Sequence, residues 1–193
     1  MSDMSVKNIV IVGVGGQGTL LASKILGSCA MECGFDVKVS EVHGMSQRGG
    51  SVVTYVRYGD CVASPLVENG EADILLAFEQ LEALRWLPVL KGSGTAVVNE
   101  QKIAPMPVIA GTARYPEGIL KTISDSGVKV YSCDALAIAE KIGNIKTANV
   151  VLIGLLAKLS DMPKQAFINA VSGMVKPKFL EVNLAAFEAG YNS

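Results

Sequence analysis

The sequence predicts an α/β fold, a three-layer α/β/α sandwich of the Rossmann-like type with a mostly parallel sheet, one β-hairpin and a helical C-terminal segment. Short, continuous apolar runs alternate with segments whose apolar residues recur at helical spacing. A glycine-rich loop directly follows the first apolar run and opens a helical pattern. The last part of the chain carries helical patterns only, so we expect these helices to cover one face of the sheet.

Composition sets the broad class. The 193 residues show no linker and no repeat, which predicts a single domain over residues 1–193. Because 17 basic residues nearly balance 18 acidic ones, nucleic acid and membrane surfaces are not expected partners. The longest apolar stretch, residues 148–157, is about half the length of a membrane span, so we expect a cytoplasmic protein. The four cysteines match no metal-binding spacing, so no metal site is predicted.

The first strand is predicted at residues 7–12, where a continuous apolar run indicates burial on both faces. A helix follows over residues 17–33, and Gly34 caps it. Residues 35–41 form a second strand, which completes a βαβ unit and favours parallel pairing of the two strands.

A hairpin is predicted next, because residues 51–58 are β-rich and Gly59-Asp60 behaves as a turn before residues 61–65. This hairpin would make the sheet mixed. The alternation then continues with strands at 72–78, 95–99 and 128–132, and with helices at 79–90 and 116–126. Three closing helices are predicted at 147–160, 163–175 and 178–189.

The first candidate site is the loop Gly13-Val14-Gly15-Gly16-Gln17-Gly18, which fits G-x-G-x-x-G between a strand and a helix. Glycine allows the tight turn, the approach of a phosphate to the backbone and close packing of helix on strand. The helix start favours an anion. Glu41, at the end of the second strand, stands where a dinucleotide fold carries its ribose-binding acid. A turn that binds no ligand is the alternative interpretation.

The second candidate site is the loop His43-Gly44-Met45-Ser46-Gln47-Arg48-Gly49-Gly50, just past the second strand. Ligands of open α/β sheets bind at this edge. Arg48 offers a planar fork for phosphate or carboxylate, and Gly49 and Gly50 allow close approach of the backbone. We therefore take His43, Gln47, Arg48, Gly49 and Gly50 as binding candidates. Simpler roles for Arg48 and His43, as an ion-pair or hydrogen-bond partner, stay open, and no catalytic residue is predicted.

The two loops together resemble the gamma-type subunit or domain of the 2-oxoacid:ferredoxin oxidoreductases, and within that family the branch that acts on indolepyruvate. The resemblance extends over nearly the whole chain. It also includes residues 56–57, 71–76, 149–154 and 183–190. The combination of Gly-Gly-Gln-Gly with Gln-Arg-Gly-Gly is specific, whereas either half alone is weak.

This resemblance implies a heteromeric enzyme that converts a 2-oxoacid, such as indolepyruvate or another arylpyruvate, to its acyl-CoA and reduces ferredoxin. Thiamine diphosphate and 4Fe-4S clusters would belong to a thiamine-binding, ferredoxin-like alpha subunit, and coenzyme A is the co-substrate. This chain would bind no cofactor by itself and would be inactive alone. Its two loops would face either a coenzyme A phosphate or the partner. A free-standing NAD(P)- or FAD-binding oxidoreductase and a non-catalytic assembly module remain as alternatives.

Overall fold

The computed structural model describes residues 6–43 and 50–193, with His43 described by its backbone. These residues form one six-stranded mixed sheet with the strand order β2-β3-β1-β4-β5-β6. The strands are β1 (Lys7–Val14), β2 (Asp36–His43), β3 (Ser51–Gly59), β4 (Ala72–Ala77), β5 (Leu90–Asn99) and β6 (Lys129–Cys133). The α-helices are α1 (Thr19–Glu32), α2 (Gln80–Arg85), α3 (Met106–Ile109), α4 (Ile119–Asp125), α5 (Ala135–Ile142), α6 (Ala148–Lys158), α7 (Lys164–Met174) and α8 (Leu180–Tyr191).

The sheet has a hydrophobic core on each face. Ile9 and Ile11 of β1 pack on the face that α1, α5, α6, α7 and α8 cover. Val10 and Val12 point to the opposite face, which α2 and α4 cover. Because successive side chains of a strand alternate between the faces, β1 needs an unbroken apolar run. The predicted three-layer architecture is confirmed.

The pairing of the first two strands differs from the prediction. β3 lies between β1 and β2 and pairs antiparallel with both of them. β2 therefore runs parallel to β1, as predicted, but does not contact it. Connection order alone did not show that a later strand fills the space between them.

The predicted hairpin between residues 51–58 and 61–65 is wrong, because β3 is followed by an irregular segment. The Arg57 guanidinium donates hydrogen bonds of 2.8 Å to the carbonyls of Ser64 and Leu66 and ties this segment to the sheet as a loop. The sheet is mixed all the same, because β3 supplies the antiparallel strand.

Some helix boundaries also differ. The helix predicted at residues 79–90 ends at Arg85 and continues as the 3-10 turn Leu87–Val89, in which Pro88 lacks the N–H that an α-helix requires. The helices α3 and α5 were not predicted. Among the described residues, none of the helices combines the length and the apolar character that crossing a bilayer requires.

Helices α6 and α8 touch through their backbones. A Cβ atom on Gly154 of α6 would collide with the Phe187 carbonyl oxygen, and one on Gly190 of α8 would collide with the Val151 carbonyl oxygen. Glycine at both positions lets the two helix axes approach closely. This contact fixes the C-terminal helices against α6, whose first turn borders the candidate site.

Candidate functional site

The glycine loop has the predicted strand–loop–helix context. β1 ends at Val14 and α1 begins at Thr19. Gly16 and Gly18 adopt φ angles of 101° and 84°, in the left-handed region that favours glycine. Gly18 is the N-cap of α1 and provides no side-chain cap.

Gln17 fills the inner side of this loop with its own amide. Its Oε1 accepts a hydrogen bond of 2.7 Å from the backbone N–H of Val14. Its Nε2 donates to the Phe78 carbonyl and to Gln101 Oε1, both at 2.9 Å. The amide therefore joins the carboxyl ends of β1, β4 and β5, where a dinucleotide fold holds its ligand.

Glu41 does not lie where a ribose-binding acid would. In the sheet register Glu41 pairs with Thr54, and Thr54 pairs with Ile11. Two strand spacings of about 4.8 Å each therefore separate Glu41 from β1. This geometry removes Glu41 as a support of the dinucleotide interpretation.

The ends of the second loop lie beside the glycine loop. The backbone N–H of Gly15 donates to the Gly50 carbonyl at 2.9 Å. His43 pairs with Val52, which in turn pairs with Gly13. The structure thus brings Gly15 and Gly50 together, whereas β3 separates the backbone of His43 from Gly13. Gln47, Arg48 and Gly49 lie outside the described residues.

A cavity of about 410 Å³ opens on the outer side of the glycine loop. Gly16, Gln17 and Gly18 form one wall, and Lys146 and Asn149 lie among the residues of the other walls. Asn149 is buried, with 7% of its surface exposed. Its side chain lies so close to Gly18 that a Cβ atom added to this glycine would be only 2.6 Å from Asn149 Nδ2. We call this space the loop crevice.

Lys146 and Asn149 were not among the predicted site residues. The sequence carried one signal, because Asn149 is a polar residue at the start of an otherwise apolar run that α6 buries. A buried amide in such a run needs a hydrogen-bond partner. Its position beside Gly18, more than a hundred residues away in the chain, depends on the tertiary fold.

A second cavity, of about 490 Å³, adjoins the loop crevice and shares Lys146 with it. Leu21, Met174 and Phe179 give it an apolar lining, and Lys176 stands beside them. None of the described residues that line either cavity is acidic. The two cavities form a groove suited to a ligand that is both anionic and partly apolar.

Two buried glutamates hold the surrounding elements in place. The Glu79 carboxylate caps α2 by accepting from the Glu82 N–H at 2.9 Å, and it also accepts from the Ile103 N–H at 3.0 Å and from the Tyr115 hydroxyl. Burial, followed by the Glu79 carboxylate, raises the pKa of Tyr115. Glu82 accepts from Ser51 Oγ at 2.5 Å, which ties the residue after the second loop to α2.

Comparison with known proteins relates this geometry to one group. The family described as pyruvate ferredoxin/flavodoxin oxidoreductase matches residues 8–193. The indolepyruvate oxidoreductase subunit IorB of Thermococcus kodakarensis is 45% identical over 188 residues, covering 95% of this chain and 93% of that protein. The IorB subunit of Archaeoglobus fulgidus is 42% identical over 189 residues, covering 96% and 94%.

Solved structures have the same fold. The gamma subunit of keto/oxoacid ferredoxin oxidoreductase from Geobacter sulfurreducens superposes with a TM-score of 0.72 at 25% identity and 96% coverage of both chains. The 2-oxoglutarate:ferredoxin oxidoreductase from Magnetococcus marinus gives a TM-score of 0.72 at 19% identity. In that case the match covers 97% of this chain but 30% of the other, so the fold occurs there as part of a longer polypeptide.

Proposed function

Because this chain belongs to the pyruvate ferredoxin/flavodoxin oxidoreductase family, we propose that it is the gamma-type subunit of a heteromeric 2-oxoacid:ferredoxin oxidoreductase. The complex converts an indolepyruvate-type or other arylpyruvate substrate to its acyl-CoA and passes the electrons to ferredoxin. The observation that carries this proposal is the identity of 45% to an indolepyruvate oxidoreductase subunit over 95% of the chain. The chain acts as a single gamma-type domain over residues 1–193.

The proposal assigns thiamine diphosphate and the 4Fe-4S clusters to the alpha subunit. The residues of this chain do not fit a cluster, which needs four cysteine thiolates. Its four cysteines are free, and in the described part of the chain no group of three or more potential metal ligands comes together. Its contribution is therefore to position a substrate, to complete a pocket and to exclude water.

Within the complex, the proposed binding surface consists of the two loops. It comprises Gly13, Gly15, Gly16, Gln17, Gly18, His43, Gln47, Arg48, Gly49 and Gly50. Support comes from the hydrogen bond between the Gly15 N–H and the Gly50 carbonyl, which joins the two loops. This surface faces coenzyme A and the thiamine-binding partner.

The test is co-expression of this chain with a candidate thiamine-binding, cluster-bearing subunit. Indolepyruvate-dependent and coenzyme A-dependent reduction of ferredoxin or of a viologen dye is measured for the complex and for each chain alone. We expect activity only when both chains are present. If the partner alone were fully active, the proposal would be overturned, and the alternative of a non-catalytic assembly module would be favoured.

A second assay addresses the dinucleotide alternative. The purified chain is titrated with NAD, NADP and FAD by calorimetry. Because the Gln17 amide fills the space at the carboxyl ends of β1, β4 and β5, and β3 separates Glu41 from β1, we expect no micromolar binding. Binding of any of the three at micromolar affinity would favour a free-standing oxidoreductase.

A further inference from the structure

We propose that the long connection between β5 and α4 is a docking element, whose apolar tip inserts into an apolar pocket with an acidic rim on the thiamine-binding subunit. This connection covers residues 100–118 and contains α3. We call it the excursion. The inference rests on the proposed function for the existence of the partner, and it assigns contact roles to Lys102, Met106, Ile109 and Arg114.

The excursion is unusually long and exposed. Connections in compact domains typically have about 4–6 residues, and much longer ones are usually functional. None of the residues 100–118 is buried. Met106 and Ile109 are the most exposed large apolar side chains of the described residues, at 70% and 67%. Two such side chains on one protruding turn indicate a surface that a partner covers.

Backbone hydrogen bonds fix the shape of the tip. The Pro107 carbonyl accepts from the backbone N–H groups of Thr112 and Ala113 at 2.9 and 3.0 Å. Met106 and Ile109 are three residues apart in α3, so they occupy neighbouring positions on one face of this turn. Because the tip is ordered before it binds, docking costs little conformational entropy.

One buried carboxylate holds the excursion to the body of the protein. Glu79 is 1% exposed, and its Oε1 accepts from the Ile103 N–H at 3.0 Å and from the Tyr115 hydroxyl. Ile103 precedes the tip and Tyr115 follows it, so this one oxygen atom fixes both sides. Gln101, at the start of the excursion, accepts from Gln17 of the glycine loop. The tip is therefore held beside the surface that the proposed function assigns to the partner.

The charges around the tip define the chemistry of the partner. Lys102 and Arg114 are exposed on either side of it, and residues 101–116 contain no acidic residue. Neither cation forms an ion pair with any residue that the structure describes. A complementary surface has an apolar pocket for Met106 and Ile109 and carboxylates around it.

Two other occupants match these charges less well. In a two-fold pair of copies the same patch faces itself, so Lys102 and Arg114 would face like charges. Recognition of an anionic membrane surface typically takes a cluster of about four to eight basic residues, and the excursion carries two. A different protein with an acidic rim is the occupant that the charges favour.

The test measures the Kd between the full chain and a candidate thiamine-binding, cluster-bearing subunit by biolayer interferometry. Ile109→Glu places a charge at the centre of the tip and should raise the Kd at least about tenfold. Arg114→Glu should slow association at least about threefold at low salt, and high salt should remove this difference. Circular dichroism verifies that each variant is folded, which is expected because both side chains are exposed.

Matched controls make the same changes far from the excursion. Met31→Glu also replaces an exposed apolar residue, near the end of α1, and Lys129→Glu also reverses the charge of an exposed cation, at the start of β6. Neither should change the Kd or the association rate by more than about twofold. If Met31→Glu weakened the complex as much as Ile109→Glu does, the effect would not be specific to the tip and the inference would be overturned.

The outcomes separate this inference from the proposed function. If the wild-type complex forms and Ile109→Glu leaves its Kd unchanged, the inference is overturned whatever the activity. If Ile109→Glu weakens a complex that shows no 2-oxoacid-dependent reduction of ferredoxin, the proposed function fails and the docking element stands. Failure of the wild-type chains to form a complex would overturn both.

Two further measurements address the other occupants. Analytical ultracentrifugation measures self-association of the chain, and sedimentation with phosphatidylserine vesicles measures membrane binding. We expect neither. Self-association or vesicle binding that Ile109→Glu abolishes would assign the tip to a second copy or to a membrane, and it would overturn the inference.

Discussion

The side chains of Gln17 and Gln101 meet across the top of the sheet, where Gln17 Nε2 donates to Gln101 Oε1 at 2.9 Å although 84 residues separate them. The backbone of Gln101 is also held, since its carbonyl accepts from the Gln80 N–H at 3.1 Å. The glycine loop, the end of β5 and the first turn of α2 are thus fixed to one another. The crevice on the outer side of the loop consequently has a rigid inner wall.

The first prediction concerns this crosslink. Gln17→Ala removes three hydrogen bonds and takes the Gln17 acceptor from the Val14 N–H, whereas the Phe78 carbonyl keeps Asn99 Nδ2 as a donor at 3.1 Å. We expect the free energy of unfolding to fall by about 2–3 kcal/mol in urea denaturation. Gln165→Ala is the control, because its amide bonds only an exposed asparagine on the same helix. Equal effects of the two substitutions would show that the crosslink adds no stability.

Local patterns in the sequence predicted the strands, most helices and the glycine loop. Hydrophobic periodicity and helix capping depend on residues that are close in the sequence. The apolar run at residues 7–12 was therefore sufficient to predict β1, and Gly34 was sufficient to predict the end of α1. The insertion of β3 between β1 and β2 was not predictable in this way. It depends on which strand edges pair over long distances, and the turn-like Gly59-Asp60 favoured a local hairpin instead.

Only part of the candidate site was predicted, for the same reason. The residues of the two loops form sequence motifs that local reading can find, and the hydrogen bond from the Gly15 N–H to the Gly50 carbonyl joins the two loops. Asn149 and Lys146 carry no motif. They reach the crevice because α6 packs beside the start of α1, and only the packing of the helices on the sheet specifies that contact.

The second prediction tests the close approach of α6 and α8. In Gly154→Ala, the new methyl group collides with the Phe187 carbonyl, which is backbone and cannot rotate away. We expect a loss of about 3 kcal/mol or more in the free energy of unfolding, measured by urea denaturation. Gly173→Ala, in α7, meets no atom within 4 Å and should be neutral or stabilising by up to about 1 kcal/mol. Similar costs at the two positions would contradict the close backbone contact.

The third prediction concerns alkaline pH. Burial, with a smaller contribution from Cys33, raises the pKa of Cys29 from 9.0 to about 12, and burial raises that of Cys133 to about 11. Below pH 9 both thiols are protonated in the folded and unfolded chains. Above pH 9 the unfolded chain releases protons that the folded chain keeps, so the free energy of unfolding falls as the pH rises.

The expected slope is up to about 1.4 kcal/mol per pH unit for each thiol, until the pH passes its folded pKa. Urea denaturation at pH 8, 9, 10 and 11, with a reductant present, measures it. Cys29→Ala should make the slope shallower, whereas Cys61→Ala, at an exposed position, should leave it unchanged. A slope that Cys29→Ala does not alter would show that this thiol is not protected by burial.

The fourth prediction isolates the contact between Gly18 and Asn149. Gly18→Ala combines a φ of 84°, which costs an alanine about 1–2 kcal/mol, with a clash at 2.6 Å against Asn149 Nδ2. Gly127→Ala has the same backbone problem at a φ of 89° but meets no atom within 4 Å, so it measures the conformational cost alone. We expect Gly18→Ala to be the more destabilising by about 1 kcal/mol or more in urea denaturation.

A double substitution tests whether Asn149 causes the difference. In an Asn149→Ala background the clash is removed, and the loss of stability caused by Gly18→Ala should fall to that of Gly127→Ala. An unchanged cost in that background would mean that Asn149 does not rest against the glycine loop.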